Sequence, residues 1–232
     1  VMALLSGDKW MINALQEGNG DFFDTHLMPV AFPHLVELYG SMEAYKASDP
    51  VQHKEDRTKV KAVQYGLAFG RQAFAIGQSL GMSTKAAQTI IDNYLGTAEE
   101  FAQWREDVME AAIDPAKREL LINPFGRKFQ SEVITTKNWR NIQREALSFL
   151  PQSTSSDICL STGIRIHKDL ADAGYKVFNI VHDAIMIEGP EDEIETAAQY
   201  VAHQMRETGR KVFGDTVPFL TDYDIGDSWE NL

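Results

Sequence analysis

The stretch Asp56–Gly70, DRTKVKAVQYGLAFG, decides how this chain reads. Within it Arg57, Lys61, Tyr65 and Phe69 recur at spacing four. On an α-helix each step of four residues turns only ~40°, so the side chains form one stripe, cations first and aromatics after. Two cations a turn apart suit the oxygens of a polyphosphate, and an aromatic ring one turn further suits a sugar or base. Lys54 and Lys59 add positive charge with only Glu55 and Asp56 nearby, which favours a phosphate site over a plain solvated helix face. Far downstream, His182-Asp183 joins two apolar runs, YKVFNIV and AIMIE, as a hairpin tip. Turn chemistry alone favours aspartate there, but between apolar strands a carboxylate must be solvated, paired or bound to metal. Stripe and tip together describe a nucleotide–metal site.

These segments resemble a known family. R-x3-K-x3-Y-G-x2-F-G is similar to the fingers helix of family A DNA polymerases, the bacterial polymerase I and T-odd phage type, and IVHDAIMIE (180–188) is similar to their metal-binding hairpin. INPFGRKF (122–129) resembles the family's T-x-F-G-R-x-R hairpin, and QREALSFLPQSTSSDI (143–158) its E-R-x-A-x-N-x-P-x-Q-G-T-A-A-D helix. The opening VMALLSGDKWMINALQEG (1–18) resembles the segment after the first catalytic motif, D-x-S-x-x-E-x-R. Five segments in the family's order carry more weight than any one of them. The resemblance implies that the first catalytic aspartate lies outside this chain.

Composition is compatible with that reading. At 232 residues and 44% hydrophobic, the chain can bury one large core or two smaller ones. No apolar run approaches the ~18 residues of a membrane span, and no secretory pattern opens the chain, so a cytoplasmic location is expected, the host cytoplasm if phage-encoded. The single Cys159 excludes an internal disulfide and lies in an apolar helical phase that predicts a buried thiol. The net charge of −12 opposes nonspecific nucleic-acid binding, but it is uneven. Residues 115–144 carry seven Lys/Arg against two Asp/Glu, whereas 188–232 carry three against eleven. DNA affinity follows local basic surface rather than the total.

The patterning predicts an α+β chain with an antiparallel sheet. Helices are expected over 8–17, from Val51 to Phe69, from Ser83 to Tyr94, from a Thr97–Glu100 capping box onward, from Thr135 or Thr136 to Ala173, and over 191–208. Residues 20–50 read as irregular, with Pro29, Pro33 and Pro50 as breakers. Strands are expected on both sides of the Asn123–Gly126 turn, on both sides of His182-Asp183, and over VPFLTDYDIG (217–226).

The resemblance implies right-hand polymerase architecture, with helical fingers over 21–135 and an incomplete palm over 1–20 and 136–232, without a thumb. It implies template-directed DNA synthesis with two Mg²⁺ ions, primer–template DNA and dNTPs as partners, and a missing N-terminal polymerase portion on the same or a separate chain. The alternative is an inert nucleotide- and DNA-binding half of a truncated or split polymerase. By the same resemblance, Lys61 contacts the α- and β-phosphates, Arg57 the γ-phosphate, and Tyr65 the sugar. Phe69, where the family usually has Tyr, lies beside the templating base. His26, in a D-x-H match within DFFDTHL, reaches the triphosphate. Asp183 is one of two metal-binding aspartates and His182 approaches the primer end, although Ala184 replaces the family's usual Glu. Arg144 and Gln152 face the minor groove near the primer terminus. Ser148 stands where the family often has Asn, Pro151 is displaced by one, and Q-S at 152–153 matches the phage form. Arg127 and Lys128 meet DNA phosphates.

Overall fold

The computed structural model describes residues 1–17 and 21–228. Gly20, the first residue of the stretch expected to be irregular, lies outside them. The elements are α1 (Met2–Ser6), α2 (Lys9–Glu17), a π-helical turn (Phe23–Leu27), α3 (Met28–Ala31), α4 (Pro33–Tyr39), α5 (Met42–Ser48), α6 (Pro50–Ala68), α7 (Ala73–Leu80), α8 (Thr84–Thr97) and α9 (Glu99–Ile113). A 3-10 segment (Pro115–Leu121), α10 (Trp139–Asp172), β1 (Lys176–Val181), β2 (Ala184–Glu188), a 3-10 turn (Glu191–Glu193) and α11 (Ile194–Phe213) complete the order. The chain is mostly helical with a small antiparallel sheet, as the α+β patterning predicts.

It divides into two compact units, one formed by 2–122 and 128–150, the other by residue 1, 123–127 and 151–232. In the first unit the core gathers Leu27, Met28, Tyr45, Val60, Val63, Leu67, Ile76, Tyr94 and Phe101. A second cluster sets Val108 and Ala111 of α9 against Ile142, Ala146 and Leu147 of α10. In the other unit Ile166, Leu170, Tyr175, Ala197 and Val201 form a smaller core.

Residues 21–50 are mostly helical rather than irregular. Pro33 and Pro50 stand at the first position of α4 and α6, and Pro29 in the first turn of α3. A proline there removes an N–H that has no intrahelical partner anyway, so it starts a helix instead of breaking one.

The Thr97–Glu100 capping box does not form either. Thr97 belongs to α8, where its hydroxyl donates to the Asn93 carbonyl. The start of α9 is capped from far away, since Phe101 N–H donates to Asp8 Oδ2 at 3.0 Å. The other oxygen of Asp8 accepts from Met11 N–H at 2.9 Å and caps α2. Asp8 is fully buried, so two helix starts depend on one desolvated carboxylate. Asp8→Ala is therefore expected to cost about 2–5 kcal/mol in urea unfolding, because two buried N–H donors are left unpaired. Asp8→Asn retains one oxygen acceptor and should cost clearly less. Unfolding midpoints for the alanine variant equal to the parent's would refute the shared cap.

Two expected strand regions are absent among the described residues. Around the Asn123–Gly126 turn, pairing is limited to one bridge, Ile122 with Lys128. Before it, Asp114 caps Ala116 N–H and draws Leu120 and Leu121 into the 3-10 segment. Residues 217–226 lie against α11 through side chains instead of pairing. Phe219 stacks on Phe213 at 6.0 Å, the Thr221 hydroxyl donates to the Ala202 carbonyl, and the Tyr223 hydroxyl donates to Glu195. The hairpin itself forms as predicted: β1 and β2 pair antiparallel from Lys176–Glu188 to Val181–Ala184, with a bulge at Phe178.

Candidate nucleotide and metal site

The stripe lies on α6, whose opposite face supplies the core residues Val60, Val63 and Leu67. That burial fixes the helix's rotation and leaves Lys61 and Tyr65 exposed, with Arg57 and Phe69 half-buried. Lys61 Nζ is 5.5 Å from the Phe23 ring centre and 5.9 Å from that of Tyr65, within cation–π range. No ion pair to Lys61 is present among the described residues. Tyr65 and Phe69 stack at 6.5 Å with a 17° interplanar angle, and the Tyr65 ring is 6.3 Å from Phe23. Spacing along α6 gives no sign of Phe23, which the π-helical turn brings under the cations from 34 and 38 residues upstream.

Helix α6 ends in a double closure after Phe69. Arg71 N–H donates to the Gly66 carbonyl at 2.7 Å and Gly70 N–H to the Leu67 carbonyl at 3.0 Å. This pairing needs a left-handed residue, and Gly70 supplies it with φ +70°. A Cβ at Gly70 would also lie 2.7 Å from Arg144 Cγ and 3.3 Å from Arg144 Cα. The end of the stripe helix thus packs directly on the early turns of α10. The Leu67 carbonyl accepts a further bond from Arg105 Nε at 3.2 Å.

His26 lies in the π-helical turn, with Nε2 3.8 Å from Glu17 and its ring 6.1 Å from Phe22. Arg57 is engaged by acids: Nε lies 2.8 Å from Asp24 Oδ1, and Nη2 contacts Asp21 Oδ2. Its guanidinium carbon is 5.5 Å from the centre of the Phe23 ring. Arg144 donates to Asn141 on the exposed side of α10. Ser148 is half-buried on the same helix.

In the other unit, His182 and Asp183 form the exposed tip between β1 and β2, and Ala184 beside them is exposed too. His182 has φ 54°, the one non-glycine residue with positive φ among the described residues. Histidine tolerates the left-handed region better than branched residues, yet such a backbone still costs ~1–3 kcal/mol and is commonly retained at functional sites. Gly163 of α10 meets the hairpin closely: a Cβ there would lie 2.7 Å from Ile180 Cδ1. Cys159 is buried as its sequence context predicts, and that burial pushes its thiol up to about 11, with the Asp183 charge adding to the effect. No ion pair to Asp183 is present among the described residues, and none of their acidic, histidine or cysteine side chains group in threes able to hold a metal. A lone exposed carboxylate such as Asp183 can supply one oxygen ligand to a hard cation and no more.

Gln152 is exposed on α10. Arg127 grips Asp157 with two donors, Nε at 3.0 Å and Nη2 at 2.5 Å. Asn123 Nδ2 adds a third bond to Asp157 at 2.7 Å, while its own Oδ1 accepts from Phe125 and Arg127 N–H. The Arg127 bonds hold the Asp157 carboxyl below its usual range. Arg127 thus ties the Asn123–Gly126 turn to α10. Lys128 next to it is exposed.

Among the described residues no helix is long and apolar enough to cross a membrane. The sequence pattern of DNA polymerase family A matches residues 1–231. DNA polymerase I of Streptococcus pneumoniae strain R6 is 28% identical over 235 residues, covering 99% of this chain and 24% of the relative. DNA polymerase I of Chloroflexus aurantiacus is 26% identical over 236 residues, covering 100% of this chain and 23% of the relative. The chain thus spans about a quarter of the length of these curated relatives. Among solved structures, the POL domain of Pol1 from M. smegmatis, in complex with DNA primer-template and dNTP, superposes with a TM-score of 0.70 at 25% identity. That match covers 89% of this chain and 34% of the other. With a family match along essentially its whole length and a polymerase-domain fold beneath it, this chain belongs to DNA polymerase family A.

Proposed function

We propose that this chain is the fingers and part of the palm of a DNA-directed DNA polymerase, joining a dNTP to a primer 3′-hydroxyl under the direction of a template. The primer hydroxyl attacks the α-phosphate and pyrophosphate leaves. The observation that carries the reading is Lys61: exposed, flanked by the Phe23 and Tyr65 rings, and without a carboxylate partner among the described residues. Such an ammonium binds a polyphosphate without first giving up an internal ion pair. We assign 21–135 to the fingers and 1–20 with 136–232 to the palm, following the order of the family's segments.

In this reading Lys61 binds the α- and β-phosphates and neutralises charge that grows on them during transfer. Arg57 takes the γ-phosphate, His26 reaches the triphosphate, Tyr65 packs on the sugar and Phe69 stacks near the templating base. Asp183 and His182 serve the metal and the primer end. Arg144, Gln152 and Lys128 meet DNA, whereas Arg127 acts chiefly by holding its turn on Asp157. Mg²⁺ bound with Asp183 and the phosphates would stabilise the attacking and leaving oxygens.

Lys61→Ala in the complete polymerase should lower kcat/KM for a dNTP by about 10- to 150-fold, the loss of one charge-assisted contact of ~1.5–3 kcal/mol. Lys59 points about 160° away on the same helix and pairs with Asp56 at 2.8 Å, so Lys59→Ala is the control. Equal losses in the two variants would sink the stripe assignment.

The second reading, carried by the resemblance, is an inert nucleotide- and DNA-binding half of a truncated or split polymerase. Purified 1–232 with primed template, Mg²⁺ and dNTPs is expected not to extend the primer. Extension that requires Mg²⁺ and disappears in Asp183→Ala would overturn that expectation.

A further inference from the structure

Unlike Lys61, Arg57 is held by two carboxylates whose surroundings differ. Asp24 is the sunken one, with a side chain 19% exposed against 42% for Asp21. Its Oδ1 faces Arg57 Nε at 2.8 Å and also lies 3.9 Å from Nε2 of His53, a buried histidine one turn earlier on α6. Its Oδ2 lies 3.4 Å from Lys46 Nζ of α5. Asp24 is therefore flanked on three sides by groups of α5 and α6: Oδ2 accepts from Lys46, while Oδ1 meets Arg57 as an ion pair without a hydrogen bond and His53 Nε2 beside it makes none either. Asp21, at the exposed margin, contacts Nη2 of Arg57, and that is its one ion pair among the described residues.

A guanidinium is planar, so a fixed negative charge against its Nε edge favours, by attraction alone, the orientation in which the Nη donors point away from Asp24, and the ion pair at Oδ1 makes no hydrogen bond. We infer that Asp24 is a positioning residue that orients Arg57 toward a nucleoside triphosphate. Asp21 is a place-holder anion that occupies Nη2 until a phosphate oxygen replaces it. The inference rests on the reading that Arg57 meets the phosphates of the incoming nucleotide. It gives the two acids opposite effects. Removing the orienting carboxylate frees Arg57 to wander and weakens nucleotide binding; removing the competing one spares the phosphate a rival and strengthens it.

The test is single-nucleotide incorporation by the complete polymerase, with dATP opposite a template thymine, for Arg57→Ala, Asp24→Ala, Asp24→Asn and Asp21→Asn. Asp24→Ala should raise KM for dATP about tenfold, the effect falling on KM more than on kcat. Asp24→Asn keeps the shape of the side chain but not the charge that draws Nε, and should recover little of that loss. Asp21→Asn, a change at an exposed position, should lower KM several-fold. A merely structural role for the pair has no means of lowering KM. Asp21→Asn and Asp24→Ala shifting KM in the same direction, or neither shifting it while Arg57→Ala raises it, would overturn the inference and leave Arg57's own role standing. An unchanged KM in Arg57→Ala would overturn both.

Discussion

Asp183→Ala in the complete polymerase is expected to slow nucleotide incorporation by orders of magnitude while leaving affinity for primer–template DNA nearly intact. The two effects separate because of where the residue sits. Asp183 is exposed at a two-residue hairpin tip, outside the core built by Ile166, Leu170, Tyr175, Ala197 and Val201, so its removal opens no cavity. Its carboxylate has no ion pair among the described residues, so no buried partner is stranded either. On the proposed function, what would be lost is an anionic ligand at the reacting phosphate, where a divalent ion's charge is worth several kcal/mol of barrier. Affinity for DNA generally rests on many phosphate contacts and changes little when one acid is removed. Rapid-quench incorporation and DNA titration measure the two quantities. A variant keeping more than about a tenth of the parent rate, a barrier change under ~1.4 kcal/mol, would rule out the metal assignment.

Tyr65→Phe should change which sugars the enzyme accepts. The Tyr65 ring is 46% exposed, and its hydroxyl makes no hydrogen bond among the described residues, so that group is available to a ligand. Family members carry Phe or Tyr at the matching position, and resemblance implies that the Tyr form tolerates nucleotides without a 3′-hydroxyl. The physical reason is replacement: a phenolic hydroxyl beside the sugar fills the space and the hydrogen bonds that the absent group leaves. With a phenyl ring those polar partners stay unpaired, at a cost of ~1–3 kcal/mol. The parent enzyme is thus expected to use dideoxynucleotides almost as well as deoxynucleotides, and Tyr65→Phe to discriminate between them by about 5- to 150-fold. The readout is the ratio of kcat/KM values for the two sugars. If the substitution leaves that ratio where it was, Tyr65 does not face the sugar and the register of roles along α6 is wrong.

Sequence spacing carried the reading wherever one element decides the geometry. The stripe needed only the helical period of α6, with the Val60, Val63 and Leu67 face confirming its rotation. The hairpin needed only alternation and a polar tip. Long-range pairings left no such trace. Phe23, Asp21 and Asp24 reach α6 across 29 to 38 residues, and His53 reads as one more polar helix residue until Asp24 is placed beside it. Proline misled because a breaker and a first-turn starter look identical in sequence, as Pro33 and Pro50 show. The segment 217–226 alternates like a strand, but alternation describes two faces without supplying a neighbouring edge. Here Phe219 and Thr221 spend their contacts on α11.

Asp8 also has a bearing on the order of assembly. Its bond to Met11 closes a span of three residues, whereas its bond to Phe101 closes one of ninety-three. Closure entropy grows by about 0.6 kcal/mol for each doubling of length, so the long ring costs roughly 3 kcal/mol more than the short one. The local bond forms as soon as α2 winds; the distant one forms only after the intervening helices have gathered. One carboxylate thus belongs to both a local and a long-range closure of this unit, and the Phe101 amide should gain its protection from hydrogen exchange well after that of Met11.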